Sequence, residues 1–419
     1  MQGRGENLYV LDKRYSARSE IMHNVREICE DSWWLGASDR RLEFFENTYP
    51  TPAGMSYDNY LILDEKTCLM DGTDEVTILQ VMENLEYLLA GRTLDYMVVD
   101  HMEPDHCRMI PQLVERYPEI KLVATAKSFE LMSQFFDFDV TPHAITVKEN
   151  DTLELGRHTL QFFLAPMVHW PEVMVSYDQL TGVLYSADAF GEFGALGGNI
   201  FADEVDWEHY WLDEARRYYV NIVGKYGVQT NMLLKKLAKL DIRMICPLHG
   251  HIWRKDFNLI LDKYAKWASY EPEIDSVAIF YGSVYGDTAV AADILAGKLA
   301  ERGMRNVRVY DSSKTMTSEL VSVAFQYSKL VFACATYNLG IFDSMRTLLD
   351  DIAAHALKNR VVGIMENGSW APTAGKLIQT QVEAMPNMTI IEPVVHLRSS
   401  VKEANLVEIE ALADALASA

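Results

Sequence analysis

Tyr96-Met97-Val98-Val99-Asp100-His101-Met102-Glu103-Pro104-Asp105-His106 places four metal-ligand side chains within six residues, directly after an apolar strand. Side chains alternate in an extended loop, so His101, Glu103 and Asp105 are expected on one side, with His106 opening the next helix. One ion cannot readily take all four, whereas two adjacent ions can.

Three further candidates sit at the carboxyl ends of expected strands, where α/β folds collect their sites. His169 lies in Met167-Val168-His169-Trp170-Pro171, Asp188 closes Leu184-Tyr185-Ser186-Ala187, and His249 follows Cys246-Pro247-Leu248. Four imidazoles and three carboxylates without a thiolate suit Fe, Mn or Zn, and argue against a structural zinc finger or an iron–sulfur cluster. The other histidines (His23, His143, His158, His209, His251, His355, His396) are read as surface, capping or packing residues, His251 being set apart only by its neighbour His249.

Outward from this stretch, the first 270 residues show strand pairs with intervening helices. Strands are expected over 59–64, 67–71, 96–100, 122–124, 159–164, 173–177, 183–186 and 243–246, with a helix from residue 75. This pattern predicts an α/β sandwich of mixed sheets. After the polar, proline-bearing segment Tyr270-Glu271-Pro272-Glu273-Ile274-Asp275 the pattern changes. Strands over 277–281, 307–310, 330–335, 360–365 and 388–393 alternate with helices, among them 289–302 and 402–417. That predicts a parallel, doubly wound sheet over 275–419.

The second half carries its own loops. Gly282-Ser283-Val284-Tyr285-Gly286-Asp287-Thr288 leads into a helix, whose N-terminal N–H groups and dipole suit a phosphate. It has neither the Gly-x-Gly-x-x-Gly pattern nor the P-loop Gly-Lys-Ser/Thr, so a mononucleotide fits better than a dinucleotide. Ala335-Thr336-Tyr337-Asn338-Leu339-Gly340 and Glu366-Asn367-Gly368-Ser369-Trp370-Ala371 each add an aromatic ring and a glycine beside a strand end. An isoalloxazine needs such a face and backbone groups at its edge.

Composition narrows the function classes. The 419 residues carry 38 Lys and Arg against 60 Asp and Glu, a net charge of −22. Residues 275–419 hold 12 basic and 16 acidic side chains, so −18 resides in the first 274 residues. Such a surface repels phosphate backbones and anionic lipid, which excludes a general nucleic-acid or membrane-surface binder. No apolar run is long enough to span a bilayer, and no signal peptide is expected in the first thirty residues. The five scattered cysteines, with no Cys-x-x-Cys pair, predict free thiols and a cytoplasmic protein.

His-x-Glu-x-Asp-His followed by His169, Asp188 and His249 resembles the metallo-β-lactamase fold, whose zinc hydrolases have His-x-His-x-Asp-His. Glu103 in place of the second imidazole, with His169-Trp170-Pro171 and Pro247-Leu248-His249-Gly250, is similar to the flavodiiron proteins. A carboxylate there hardens the site and favours iron. The resemblance implies one iron on His101, Glu103 and His169, a second on Asp105, His106 and His249, and Asp188 as the bridge. His106 is the ligand that swings away from the metal in some family members.

Residues 275–419 resemble flavodoxin, with strand order 2-1-3-4-5 and FMN at the switch point. The resemblance implies an FMN phosphate site at Ser283, Val284, Tyr285, Gly286, Asp287 and Thr288. It implies ring contacts at Thr336, Tyr337, Asn338, Gly340, Asn367, Gly368, Ser369 and Trp370. Asp287 departs from the usual Ser, Asn or Thr, so its backbone N–H is the group carried over.

The expected architecture is therefore a metallo-β-lactamase-like αββα sandwich over 1–270 and a flavodoxin-like domain over 275–419. The resemblance implies an oxidoreductase that reduces O2 to water, NO to N2O, or both, with electrons relayed through FMN. It implies Tyr218 near the metals, and a head-to-tail homodimer or dimer of dimers that brings FMN of one chain to the irons of another. No rubredoxin module is expected, so the donor would be a separate rubredoxin, flavin reductase or reduced deazaflavin. An acidic rubredoxin would be repelled by the metal domain and dock nearer the flavin half. Two other classes compete: a zinc hydrolase with a flavodoxin appendage, and an electron-carrier flavoprotein with a degenerate metal domain.

Overall fold

The computed structural model describes residues 23–419, so most of the stretch read for a signal peptide lies outside the described residues. Packing divides the chain into two compact units. One runs to Ala215 and resumes over Met232–Ile260; the other comprises Arg216–Asn231 and Leu261–Ala419.

The second unit thus takes in residues that lie before the sequence boundary near 270. Glu273, within the segment read as a polar connector, explains part of this. Its carboxylate accepts from Trp267 Nε1 at 2.9 Å, pairs with Lys263 Nζ at 2.6 Å and is held by the Arg216 guanidinium. Burial alone would raise Glu273, but the Arg216 and Lys263 charges pull its pKa down to about 2. Asn221 Nδ2 also donates to the Ser318 carbonyl at 3.0 Å.

In the first unit a seven-stranded sheet runs in the order Arg26–Cys29, Ser32–Trp34, Tyr60–Leu63, Thr67–Met70, Tyr96–Val98, Lys121–Ala124, Ala144–Thr146. It is antiparallel as far as Thr67–Met70 and parallel beyond. The Arg26–Cys29 and Ser32–Trp34 hairpin is an addition to the strands read from sequence. A five-stranded sheet orders Thr152–Glu154, Thr159–Leu164, Met174–Asp178, Val183–Tyr185 and Met244–Cys246, with only the last pair parallel.

Strand period two explains the layers. Tyr60, Ile62, Cys68 and Met70 face Phe162, Met174 and Tyr185 between the sheets. The alternate residues Leu61, Leu69, Met97 and Leu122 pack outward on Val81, Leu85, Leu113 and Met132 of the covering helices. Both faces are buried, so these strands are apolar throughout.

In the second unit the strands Arg308–Asp311, Ile274–Gly282, Tyr327–Tyr337 and Val361–Asn367 lie side by side, followed by Thr389–Ile390 and Val395–Leu397, all parallel. This is the order 2-1-3-4-5. The fifth strand, expected as one run over 388–393, is two pieces flanking Pro393, which has no N–H to give the ladder. Val277, Ile279, Val331 and Met365 bury one face under Ala291, Leu295, Ile409 and Leu412 of the helices Asp287–Glu301 and Glu403–Ser418.

Candidate metal centre

The loop after Tyr96–Val98 departs from the extended geometry expected of it. Glu103 is still extended, but Pro104 takes the first position of the helical turn Pro104–Cys107. Proline is pre-set for that position and loses no hydrogen bond there. Asp105 and His106 are therefore turned out of line with His101 and Glu103, and the four candidate ligands separate into two groups.

His101, Glu103, His169 and Asp188 form the first group; Asp105, His106 and His249 form the second, and all seven are buried. In the first, His169 Nε2 lies 3.0 Å from Glu103 Oε2 and 3.4 Å from His101 Nε2. In the second, His249 Nε2 lies 3.4 Å from Asp105 Oδ2, and His106 Nε2 3.5 Å from Asp105 Oδ1. Asp188 joins them. Its Oδ2 is 3.1 Å from His169 Nε2 and 3.4 Å from His101 Nε2, while its Oδ1 is 3.2 Å from His106 Nε2.

These donors fit two hard or borderline cations. The carboxylate oxygens of Asp105 and Asp188 and both ring nitrogens of His106 are buried without a hydrogen-bond partner, a costly arrangement unless an ion meets them. Burial alone would depress the imidazoles. Asp188 and Glu103 instead hold His101 well above its ordinary value and His169 up at about 9; Asp105 and Asp188 do the same for His249, at about 9. Cation binding would displace those protons, so it should be coupled to proton release.

Several supporting groups carry no motif. Glu172 Oε1 accepts from His101 Nδ1 at 2.8 Å and from the Met102 N–H at 3.0 Å. The Ser56 carbonyl accepts from His249 Nδ1 at 2.7 Å. These bonds leave Nε2 of each ring for the ion, the usual division of labour in such sites. Phe45 and Tyr57 pack edge-on against His249, and Trp170 against His101. Each arrives from a segment far along the chain from its partner, 71 residues for Glu172 and 193 for Ser56, so spacing could not flag it. Tyr218 is fully buried at the end of the helix Leu212–Tyr218 and packs with the second unit, whereas the seven ligands belong to the first.

The flavin loops lie at the carboxyl ends of three adjacent strands, Ile274–Gly282, Tyr327–Tyr337 and Val361–Asn367. Two of the helix N-termini that follow these strands differ. Thr336 Oγ1 accepts from Thr373 N at 3.0 Å and Ala374 N at 3.1 Å, and Glu366 Oε2 from Gly375 N at 2.9 Å, so the helix Ala374–Glu383 is capped from within. The helix Asp287–Glu301 has no side-chain cap, and Gly286 precedes it with φ of 103°. Its N-terminal N–H groups are therefore open to an anion.

Asn338 and Leu339, both at positive φ, form a two-residue hairpin turn closing Tyr337 on Gly340. Asn367 Nδ2 is committed to the Ser399 carbonyl (2.9 Å) and to Thr288 Oγ1 (3.3 Å). Tyr285 and Trp370 are 94% and 86% exposed. Aromatic rings so placed at a sheet's carboxyl edge provide the faces that a planar cofactor needs.

The sequence profile of the ODP family beta lactamase matches residues 55–250, the stretch that carries every metal-ligand candidate. The fold aligns with rubredoxin oxygen:oxidoreductase from Desulfovibrio gigas at a TM-score of 0.88 and 26% identity, covering 94% of this chain and 98% of that one. Over 375 residues the chain is 30% identical to the nitric oxide reductase of Moorella thermoacetica, covering 87% of this chain and 91% of that protein. The chain belongs to the flavodiiron family. A flavodiiron protein from Thermotoga maritima shares the fold at a TM-score of 0.86 and 24% identity. The anaerobic nitric oxide reductase flavorubredoxin of Aeromonas hydrophila is 28% identical over 83% of this flavodiiron chain and 71% of its own.

Proposed function

We propose that this protein is a cytoplasmic flavodiiron reductase that converts O2 to water, NO to N2O, or both. The carrying observation is Asp188, whose two oxygens address imidazoles of different groups. His101, Glu103 and His169 would hold one iron, Asp105, His106 and His249 the other, with Asp188 shared. Two ferrous ions would act as reductant and Lewis acid toward the diatomic substrate, resupplied through FMN.

The chain's own groups do the rest. Glu103 keeps the first position harder and more negative than a third imidazole would, which favours iron over zinc. Glu172 and the Ser56 carbonyl fix the tautomer and aim of His101 and His249. The aromatic rings of Phe45, Tyr57 and Trp170 wall the ligands with apolar surface, which limits water at the pocket.

In the second unit, the open N-terminus of Asp287–Glu301 with Ser283 to Thr288 would take the FMN phosphate. Tyr337, Asn338 and Gly340, with Gly368, Ser369 and Trp370, would border the ring. Thr336 and Asn367 contribute by holding those loops in place. A separate donor, a rubredoxin, a flavin reductase or reduced deazaflavin, would reduce FMN at this less acidic half. A head-to-tail homodimer would bring FMN of one chain to the metals of another, and Tyr218 would serve as a hydrogen-bond donor near them.

The test is metal and flavin analysis followed by anaerobic stopped-flow of the reduced protein against O2 and NO separately. Two irons and one FMN per chain with rapid reoxidation by either gas is the expected result. Stoichiometric zinc with esterase activity and no iron would overturn it.

A further inference from the structure

We propose that Glu192 is a positioning residue of the metal centre, one buried carboxylate that sets the loop carrying Asp188 against the loop carrying His249. The inference rests on the reading of the seven side chains as metal ligands. It concerns residues outside that set.

Glu192 Oε1 accepts from the His251 backbone N–H at 2.6 Å and from His251 Nδ1 at 2.5 Å. Its Oε2 accepts from Trp207 Nε1 at 2.8 Å. All three residues are buried. A carboxylate is retained in such a place only when its lone pairs are met, and here three N–H groups meet them. Trp211 closes the other side, edge-on to the His251 ring with centroids 4.6 Å apart.

Both loops need an external hold. Around Asp188, Ala187 and Phe190 have φ of 50° and 71°, a region that side chains other than glycine seldom adopt. Such conformations persist where the surroundings over-determine them. Two backbone bonds join the loops at their base, Ser186 N to the Cys246 carbonyl and Leu248 N to the Ala187 carbonyl, each 3.0 Å. Past these bonds, Glu192 is the next tie. The chain between His249 and His251 crosses it so closely that a Cβ on Gly250, itself at φ of 83°, would lie 2.0 Å from Glu192 Cγ.

Glu192 touches no ligand atom; it acts through His251 and Gly250 on His249. Asp188 serves both positions, but the other ligands of the first, His101, Glu103 and His169, lie on neither loop, whereas the second also depends on His249. Loss of Glu192 should therefore loosen the second position selectively. That selectivity separates positioning from general stability.

The experiment uses the full chain loaded with FMN, stripped of metal and titrated with zinc(II) alone. The wild type is expected to bind two ions. Glu192→Ala and the milder Glu192→Gln should keep FMN and one tight ion and bind the second ~10–100-fold more weakly, the span typical of outer partners. Gly250→Ala, which pushes the crossing chain off Glu192, should do the same. Two unchanged sites, or equal weakening of both with FMN retained, overturns the proposal. If Glu192→Ala fails to fold, Glu192→Gln decides on the same two criteria. A wild type that binds no second ion would refute the metal reading itself.

Discussion

Asp188 Oδ1 lies 3.2 Å from His106 Nε2, while the other oxygen of the same carboxylate reaches His169 Nε2 at 3.1 Å. One side chain thereby faces both groups of candidate ligands.

Replacing Asp188 by Asn should break this link. The amide keeps one oxygen for one position and turns an N–H toward the other. Metal content is expected to fall below two per chain, and turnover with O2 and NO by more than ~100-fold, beyond the loss typical of outer partners. Elemental analysis and oxygen consumption check this, with FMN content as the control. Full turnover with O2 and NO would end the diiron reading.

Glu172→Gln should be milder. The side chain still accepts from one N–H but no longer offers a charged partner to His101 Nδ1. Affinity at the first position should drop by ~10-fold or somewhat more. Competition of zinc(II) against a chromophoric chelator measures it, and an unchanged affinity would show that His101 needs no outer carboxylate.

Trp370 is 86% exposed, so its removal should leave stability within about 0.5 kcal/mol. Aromatic stacking contributes about 0.5–1.5 kcal/mol, so Trp370→Ala should weaken FMN about 2- to 10-fold. Fluorescence titration with FMN and urea unfolding read the two effects separately. Unchanged FMN affinity would remove Trp370 from the flavin site.

A buried ion pair outside the candidate ligand set establishes a pH dependence. His158 Nδ1 donates to Asp178 Oδ2 at 2.8 Å, with Asp31 Oδ2 3.8 Å from Nε2 and Asp64 accepting from the His158 N–H. Burial alone would lower His158, but Asp178, with Asp64 and Asp31, raises it above its ordinary value. The folded state therefore favours the protonated ring. Its contribution is complete below about pH 6.5 and fades as pH rises through the raised folded value. Asp178 is held below the usual carboxylate range mainly by His158 and Thr181, against burial, so its share is lost only in acid. The difference in unfolding free energy between wild type and His158→Gln, read by urea unfolding, should be widest near pH 6, at about 1–3 kcal/mol, and narrow toward pH 9. A difference independent of pH would refute the charged pair.

The candidate ligand types, their order along the chain and the two kinds of sheet were legible in the sequence, because they rest on local rules. His101, Glu103 and Asp105 stand out by type and spacing; Leu61 and Ile62 reveal opposite faces by period two. Where the local rule was misapplied, the cause was also local: Pro104 opens a helical turn and takes Asp105 out of the extended run.

What only the tertiary structure decided is which groups meet. Glu192 reaches His251 across 59 residues, Glu172 reaches His101 across 71, and Asp188 distributes its oxygens between rings from three segments, the loop of His101 and His106, His169, and His249. Two helix N-termini that look alike in sequence also part company, because Thr336 and Glu366 fold back to cap one of them. Such pairings are made by buried polar groups that must find partners wherever packing brings them, and no periodicity of the chain encodes that meeting.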